Sequence, residues 1–304
     1  MRVPGNPARP LSGTGLVGRI GFEARVTGRM MAANAPAAFL SPVLFTAVAC
    51  VHHHVGGPAT ALHVAVSTLW FALFLYVFDA SNQVRGATED ALNKPYRPIP
   101  SGLLTPQALM RRFWCAMLLY ALLGLVTATL LWVLLWQAAT VVLHFVSAPR
   151  IYFAVKPMLM QLGIITQLAA AWQLVAPLDT TAWAWVLVTG VGYNLAMIYE
   201  DVRDMEGDRS IGRRTLPLIV GHWPVRIWFA AVMTALPLAL HHWLFAPSNA
   251  RPALIAACTL TVTGMNWYAA LRSLVIRNAR ADRITYQLYG LAFGVTLTCG
   301  LVLL

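Results

Sequence analysis

The chain has 304 residues, 59% of them hydrophobic and only 11% charged, with a mean hydropathy of +0.65. So little polar surface cannot cover a soluble globule, which excludes an ordinary soluble domain and makes the lipid bilayer the expected surroundings. A formal charge of +11 could suit nucleic acid, but the basic residues gather in connections between apolar runs, which excludes that partner in favour of membrane anchoring.

Residues 1–32 are rich in Gly, Pro and Arg and lack a cleavable apolar core, so they read as a cytoplasmic tail instead of a signal peptide. The rest, 33–304, reads as one domain. Its first two apolar runs, 33–51 and 59–81, flank His52-His53-His54. Consecutive histidines point in different directions on a helix, and these read as interfacial polar groups. The second run passes Asp79, a possible support for Asn82 or a structural hydrogen-bond acceptor. It then ends in Asn82-Gln83-Val84-Arg85-Gly86-Ala87-Thr88-Glu89-Asp90. A stiff connection follows, Asn93-Lys94-Pro95-Tyr96-Arg97-Pro98-Ile99-Pro100-Ser101-Gly102, whose three prolines cannot continue a helix.

Runs 107–126 and 129–148 form a tight antiparallel hairpin around Thr127-Ala128. Tyr152-Phe153-Ala154-Val155-Lys156-Pro157 leads into 157–176, and 181–199 ends in the second acidic stretch, Glu200-Asp201-Val202-Arg203-Asp204-Met205-Glu206-Gly207-Asp208. Another basic connection, through Arg213, Arg214 and Pro217, precedes 223–246, 252–274 and 284–304. Each run is about 20 residues, the length that spans a bilayer core. Cys50, Cys115, Cys258 and Cys299 lie scattered in apolar runs without ligand spacing and read as packing thiols.

These nine runs predict an all-α integral membrane protein with nine transmembrane helices. Basic residues fill alternate connections, and the other set holds a single one, Arg251. By the positive-inside rule the N-terminus and both acidic stretches are cytoplasmic and the C-terminus is outside, as an odd number of spans requires. Each half of the chain repeats one plan, an apolar run, an acidic end and a basic, proline-containing turn, with the two stretches expected to face each other across a central cavity.

Seven of the eleven acidic residues lie in those two stretches. Carboxylates are costly beside lipid unless a cation compensates them. Asn82, Gly86 and Asp90 recur at i, i+4, i+8, as do Glu200, Asp204 and Asp208, so each set shares a helix face. Oxygen ligands followed by Lys and Arg suit magnesium and diphosphate. Lys94 and Lys156, the two lysines of the chain, stand where they could reach a phosphate. The same helix-end carboxylates could serve the coupling ion of a transporter, although such sites more naturally lie near mid-membrane.

The first stretch with its Lys94 to Gly102 continuation resembles the first signature of the UbiA superfamily of intramembrane prenyltransferases. Asp201 to Arg209, on to Thr215-Leu216-Pro217, resembles the second, and Tyr152 to Lys156 the family's Tyr-x-x-x-Lys element. The resemblance covers nearly the whole chain. It implies ionisation of an isoprenyl diphosphate, C15 or C20, at an active site facing the cytoplasm of a multi-pass membrane enzyme. It further implies Mg²⁺ as cofactor, held by Asn82, Glu89, Asp90, Glu200, Asp201, Asp204 and Asp208. Asn82, Asp90, Asp204 and Asp208 carry the catalytic role, and Arg85, Lys94, Arg97, Tyr152, Lys156, Arg203 and Arg209 the diphosphate. One departure stands out: Gln83 and Gly86 occupy positions that are commonly Asp in the family. The resulting pattern is closest to UbiA-type terpene cyclases, in which the cation is attacked by the substrate's own double bonds. Transfer to a small aromatic or quinone-type acceptor is the alternative. Aromatics able to steer a cation are nominated by depth alone: Trp172, Tyr193, Tyr199, Trp267, Tyr268 and Tyr289.

Overall fold

A computed structural model describes residues 15–304. Residues 1–14, with Arg2 and Arg9 of the expected basic tail, lie outside that description, as does the side chain of Asn93. Among the described residues all regular structure is helical. In chain order these are α1 (Leu16–Met31), α2 (Pro36–His52), α3 (Gly57–Arg85), α4 (Ala87–Asn93), α5 (Pro106–Val126), α6 (Leu130–Val146) and α7 (Pro149–Gln173). There follow α8 (Thr180–Arg203), α9 (Met205–Ser210), α10 (Leu216–Val220), α11 (His222–Phe245), α12 (Pro252–Val275) and α13 (Ala279–Leu303).

Seven of them, α3, α5, α7, α8, α11, α12 and α13, are long and apolar enough to cross a membrane. The first and fourth apolar runs of the sequence fall on the shorter α2 and α6. The chain turns by 98° between α1 and α2. The inner side of α1 is short: Val26 and Met30, one helical turn apart, are fully buried. Gln83 Nε2 donates to the Met30 carbonyl (3.2 Å), fixing α1 against α3, and Asn34 in the bend donates to Asp79 Oδ1 (2.7 Å).

Helix starts follow local chemistry. Proline sits in the first turn of α2, α3, α5, α7 and α12, where its missing N–H costs nothing. Thr105, Asp179 and Asn278 cap α5, α8 and α13 through side-chain oxygens. The helices pack in succession, α2 on α3, α3 on α5, α5 on α6, α6 on α7, α7 on α8, α8 on α11, α11 on α12 and α12 on α13, and α13 returns to α2, so the succession closes on itself. The outward faces carry bare apolar side chains, including Leu118, Leu122 and Leu125 on α5 and Leu260, Trp267 and Leu271 on α12. Such a surface suits lipid, since every helix satisfies its own backbone.

Two features shape the interior. Gly163 on α7 leaves room for the Trp136 ring, which would lie only 2.3 Å from a Cβ at that position. Close approach through a small residue is how membrane helices pack without a hydrophobic driving force. Near the acidic end, Arg226 of α11 forms a bidentate pair with Asp282 of α13 (2.7 and 2.6 Å). Tyr199 of α8 also donates to Asp282 Oδ1 (2.6 Å), and Arg226 donates to the Ser273 carbonyl of α12 (2.7 Å). One buried network thus locks four helices behind the second acidic stretch.

Candidate active site

Each acidic stretch is a long helix broken after its first ligand-bearing turn. Between α3 and α4 the break falls at Gly86 (φ −93°, ψ 13°), and between α8 and α9 at Asp204 (φ −104°, ψ 6°). Both residues adopt the sparsely used bridge conformation common at functional sites. The two breaks are equivalent positions of the i, i+4, i+8 pattern, which gives the internal repeat a backbone counterpart. The short helices α4 and α9 pack against each other, bringing the stretches face to face.

Ion pairs cross that junction. Arg213 NH1 donates to Glu89 Oε2 of the first stretch (2.7 Å) and to Asp208 Oδ1 of the second (3.0 Å). Lys94 Nζ lies 3.6 Å from Asp204 Oδ2. Lys156 of α7 holds Asp201 (2.6 Å) and Glu200 (3.1 Å), and Arg203 holds Glu200 (2.7 Å) and Asp204 (3.4 Å). Arg213 also lies over the Tyr152 ring, and Arg203 over Tyr286. Burial pushes the Asp208 carboxyl up to about 7, against the pull of Arg213 and with help from Asp201 and Glu89. Burial likewise raises Asp90, more than Arg97 lowers it.

These groups form the polar end of a cavity of about 200 Å³. Asn82, Glu89, Lys94, Arg97, Tyr152, Lys156, Glu200, Asp201, Asp204, Asp208 and Arg213 line that end. The remaining wall is mostly apolar and aromatic (Phe74, Phe78, Trp136, Tyr286, Tyr289 and Phe293, with Met160 and Ile164), interrupted by the uncharged polar side chains of His144, Gln167 and Asn194. Of the aromatics nominated by depth, only Tyr289 reaches it. Trp267 and Tyr268 are exposed on the outer surface, Trp172 packs against His52 and His53 at the far end of the bundle, and Tyr199 belongs to the Arg226–Asp282 network. Tyr193, buried, accepts from Asn266 and sits edge-on to Phe293.

Several expected site residues have other partners. Both oxygens of Asp90 accept from Arg97 NH1 (2.8 and 2.9 Å), and both side chains are 2% exposed. Asp90 thus meets Arg97, whose Nε is buried without a hydrogen-bond partner beside the cavity. Arg85, itself exposed, donates to the His144 carbonyl (3.0 Å), and Arg209 is exposed; neither lines the cavity. Arg203 stands one layer behind, gripping Glu200 and Asp204. Arg213 carries a bridging role that its position in a basic connection did not distinguish from anchoring. Tyr286 and His144 also line the cavity without any motif to announce them. The two departures from the family pattern have local surroundings of their own: Gln83 faces α1, and a Cβ at Gly86 would lie a tight 3.0 Å from the Asn82 carbonyl oxygen. The histidine run lies at the opposite end, where His52 and His53 Nε2 approach Asp179 Oδ2 at 3.5 and 3.8 Å.

Known proteins are similar to this chain. The UbiA prenyltransferase family matches over residues 39–293. Somaliensene A/B synthase of Streptomyces somaliensis is 34% identical over 257 residues, 83% of this chain and 85% of its own. Two proteins of Hericium erinaceus are similar: the diterpene cyclase eriG, 32% identical and covering 74% of this chain and 71% of its own, and the polyprenyl transferase eriF, 30% identical, covering 74% and 75%. In solved structures the fold recurs in a UbiA homolog from Archaeoglobus fulgidus bound to GPP and Mg²⁺. Its TM-score is 0.62 at 14% identity, over 90% of this chain and 99% of that one.

Proposed function

Because the chain belongs to the UbiA prenyltransferase family, we propose that it ionises a C15 or C20 isoprenyl diphosphate inside the membrane and cyclises the resulting cation. The observation that carries this reading is the cavity itself: paired acidic motifs and four cations (Lys94, Arg97, Lys156, Arg213) at one end, aromatic rings around most of the rest. The names of two relatives, a synthase and a diterpene cyclase, favour cyclisation. Intermolecular transfer to an aromatic or quinone-type acceptor is the second reading, favoured by the similarity to eriF.

The donor set fits a divalent metal. Asn82, Glu89, Glu200, Asp204 and Asp208 offer oxygen atoms only, and carboxylates this buried call for cations. Mg²⁺ held by them would offset the charge that develops on the leaving diphosphate. Six carboxylates (Glu89, Asp90, Glu200, Asp201, Asp204, Asp208) face five cations (Lys94, Arg97, Lys156, Arg203, Arg213). Each group is thus partnered inside the protein, and substrate entry exchanges partners. Lys94, Lys156 and Arg213 would turn to the phosphate oxygens, which would leave Asp204, Glu200, Glu89 and Asp208 able to hold the metal. Asp90, Asp201 and Arg203 keep Arg97, Lys156 and Glu200 aimed at the site.

Heterolysis of the C–O bond sends both electrons to the diphosphate and leaves an allylic cation. Fixed positive charge at the leaving group lowers that barrier. Phe74, Phe78, Trp136, Tyr286, Tyr289 and Phe293 surround the space for the cation with aromatic rings that can stabilise it and keep water away. We further propose nine membrane crossings around a central cavity, with the short α2 and α6 as the first and fourth. The N-terminus and active site are then cytoplasmic and the C-terminus outside, with residues 33–304 as one domain preceded by a tail.

Purified protein in detergent, given Mg²⁺ and C10, C15 or C20 diphosphate without acceptor, should release a cyclic terpene. Slow hydrolysis alone, with turnover restored by an aromatic or quinone-type acceptor, would replace cyclisation with transfer.

A further inference from the structure

His144 lies in the last, widened turn of α6, is 8% exposed and lines the cavity beside Phe78 and Trp136. Its Nδ1 is 2.8 Å from Ser81 Oγ of α3. The single hydroxyl proton of Ser81 is already claimed by its own helix: Oγ lies 2.8 Å from the Val77 carbonyl and 2.9 Å from that of Phe78. Serines in membrane helices commonly bond back in this way. Ser81 therefore accepts from His144 Nδ1–H, and this fixes the tautomer. Nε2 is left with its lone pair, buried and without a hydrogen-bond partner. A buried polar atom left unmatched beside a cavity calls for an explanation. The ring is also held in place: it packs on Phe78 with centroids 4.9 Å apart, and its backbone carbonyl accepts from Arg85.

We propose that His144 Nε2 is the base that ends the reaction by taking a proton from the cyclised carbocation. The proposal rests on the cyclase reading. The C–H bond next to the cationic carbon breaks, its electron pair becomes the π bond of the product alkene, and the proton bonds to Nε2. The imidazolium passes that proton to the departing diphosphate, which restores the neutral base. Other polar side chains in the non-ionic part of the cavity are far weaker bases. Gln167 and Asn194 are amides, and the Tyr289 hydroxyl already donates to the Tyr193 carbonyl.

The test is turnover of C15 and C20 diphosphates with Mg²⁺ in detergent, reading diphosphate release and products separately for wild type, His144→Phe and Ser81→Ala. His144→Phe keeps a planar ring against Phe78. Its diphosphate release should stay within about threefold of wild type while the native cyclic alkene falls about 100-fold, replaced by alcohols or isomeric alkenes. Ser81→Ala, which keeps the imidazole but releases its tautomer, should shift products the same way to a smaller extent. An unchanged alkene share in His144→Phe overturns the proposal. So does a parallel loss of diphosphate release and alkene in both variants, which marks a structural role. A wild-type product that is an alcohol overturns the base and leaves cyclisation standing. Failure of the cyclase reading shows elsewhere, as a wild type that forms no cyclic product without an acceptor.

Discussion

Asp208 concentrates the electrostatics of the site at a single residue. Its carboxyl, ordinarily near 3.8, is pushed up to about 7 by burial and by neighbouring Asp201 and Glu89, despite Arg213. A raised carboxyl favours the folded state in its protonated form. Without metal its contribution to stability is therefore complete on the acid side and is lost as pH rises through about 7. Metal needs the deprotonated oxygen, so the proton competes with it. Mg²⁺ titrations followed by thermal shift should show apparent affinity tightening about tenfold between pH 6 and pH 8, with Asp208→Asn removing the slope. An unchanged slope in that variant would assign the titration to another group. Asp204→Ala and Asp208→Ala should each lower turnover about 100- to 1000-fold while leaving expression intact. Retained activity in both would remove the proposed metal site. Much of this was legible in sequence, because carboxylates at i, i+4, i+8 beside apolar runs have few other uses. Asp90 was less legible. Its spacing matched a ligand, but spacing says nothing of Arg97 seven residues on, whose guanidinium occupies both oxygens.

At the scale of elements, the site depends on long helices that stop being regular at matching places. The breaks at Gly86 and Asp204 let α4 and α9 turn inward, so acidic side chains on one helix face meet those from another. A helical period reports the shared face, whereas the break that redirects it is a tertiary outcome. What holds the second broken helix in place is the Arg226–Asp282 pair with Tyr199 and Ser273. Removing one partner strands a buried charge. Asp282→Ala should cost about 3–5 kcal/mol of stability in detergent unfolding, and Arg226→Met with Asp282→Leu should recover most of it. A double variant as unstable as the single one would show that the pair contributes more than mutual neutralisation. No motif marked this network: Asp282 and Arg226 are 56 residues apart, on helices whose patterning is simply apolar.

For the whole molecule, the charge asymmetry between alternate connections sets the expected orientation. A cysteine at Asn249, between α11 and α12, should react with a membrane-impermeant maleimide in intact cells. One at Arg280, at the start of α13, should react only after permeabilisation, both in a Cys115→Ser background. The reverse pattern would invert the proposed topology and put the site outside. The apolar runs located every long helix because burial in lipid demands an apolar, self-bonded backbone over a fixed length. Depth along those runs did not tell which aromatics face inward. Trp267 and Tyr268 meet lipid, whereas Tyr286, Phe74 and Trp136 meet the cavity, and all are apolar enough for either. A helix bathed in lipid lacks the polar outer stripe that would betray its inner face in water. By itself, then, the sequence determined the membrane class and the position of the two acidic motifs, both consequences of the cost of charge near hydrocarbon. Only the tertiary structure decided which charges pair, which rings line the cavity, and that His144 keeps a bare nitrogen there. Those depend on contacts between helices, and where both faces are apolar no local pattern encodes them.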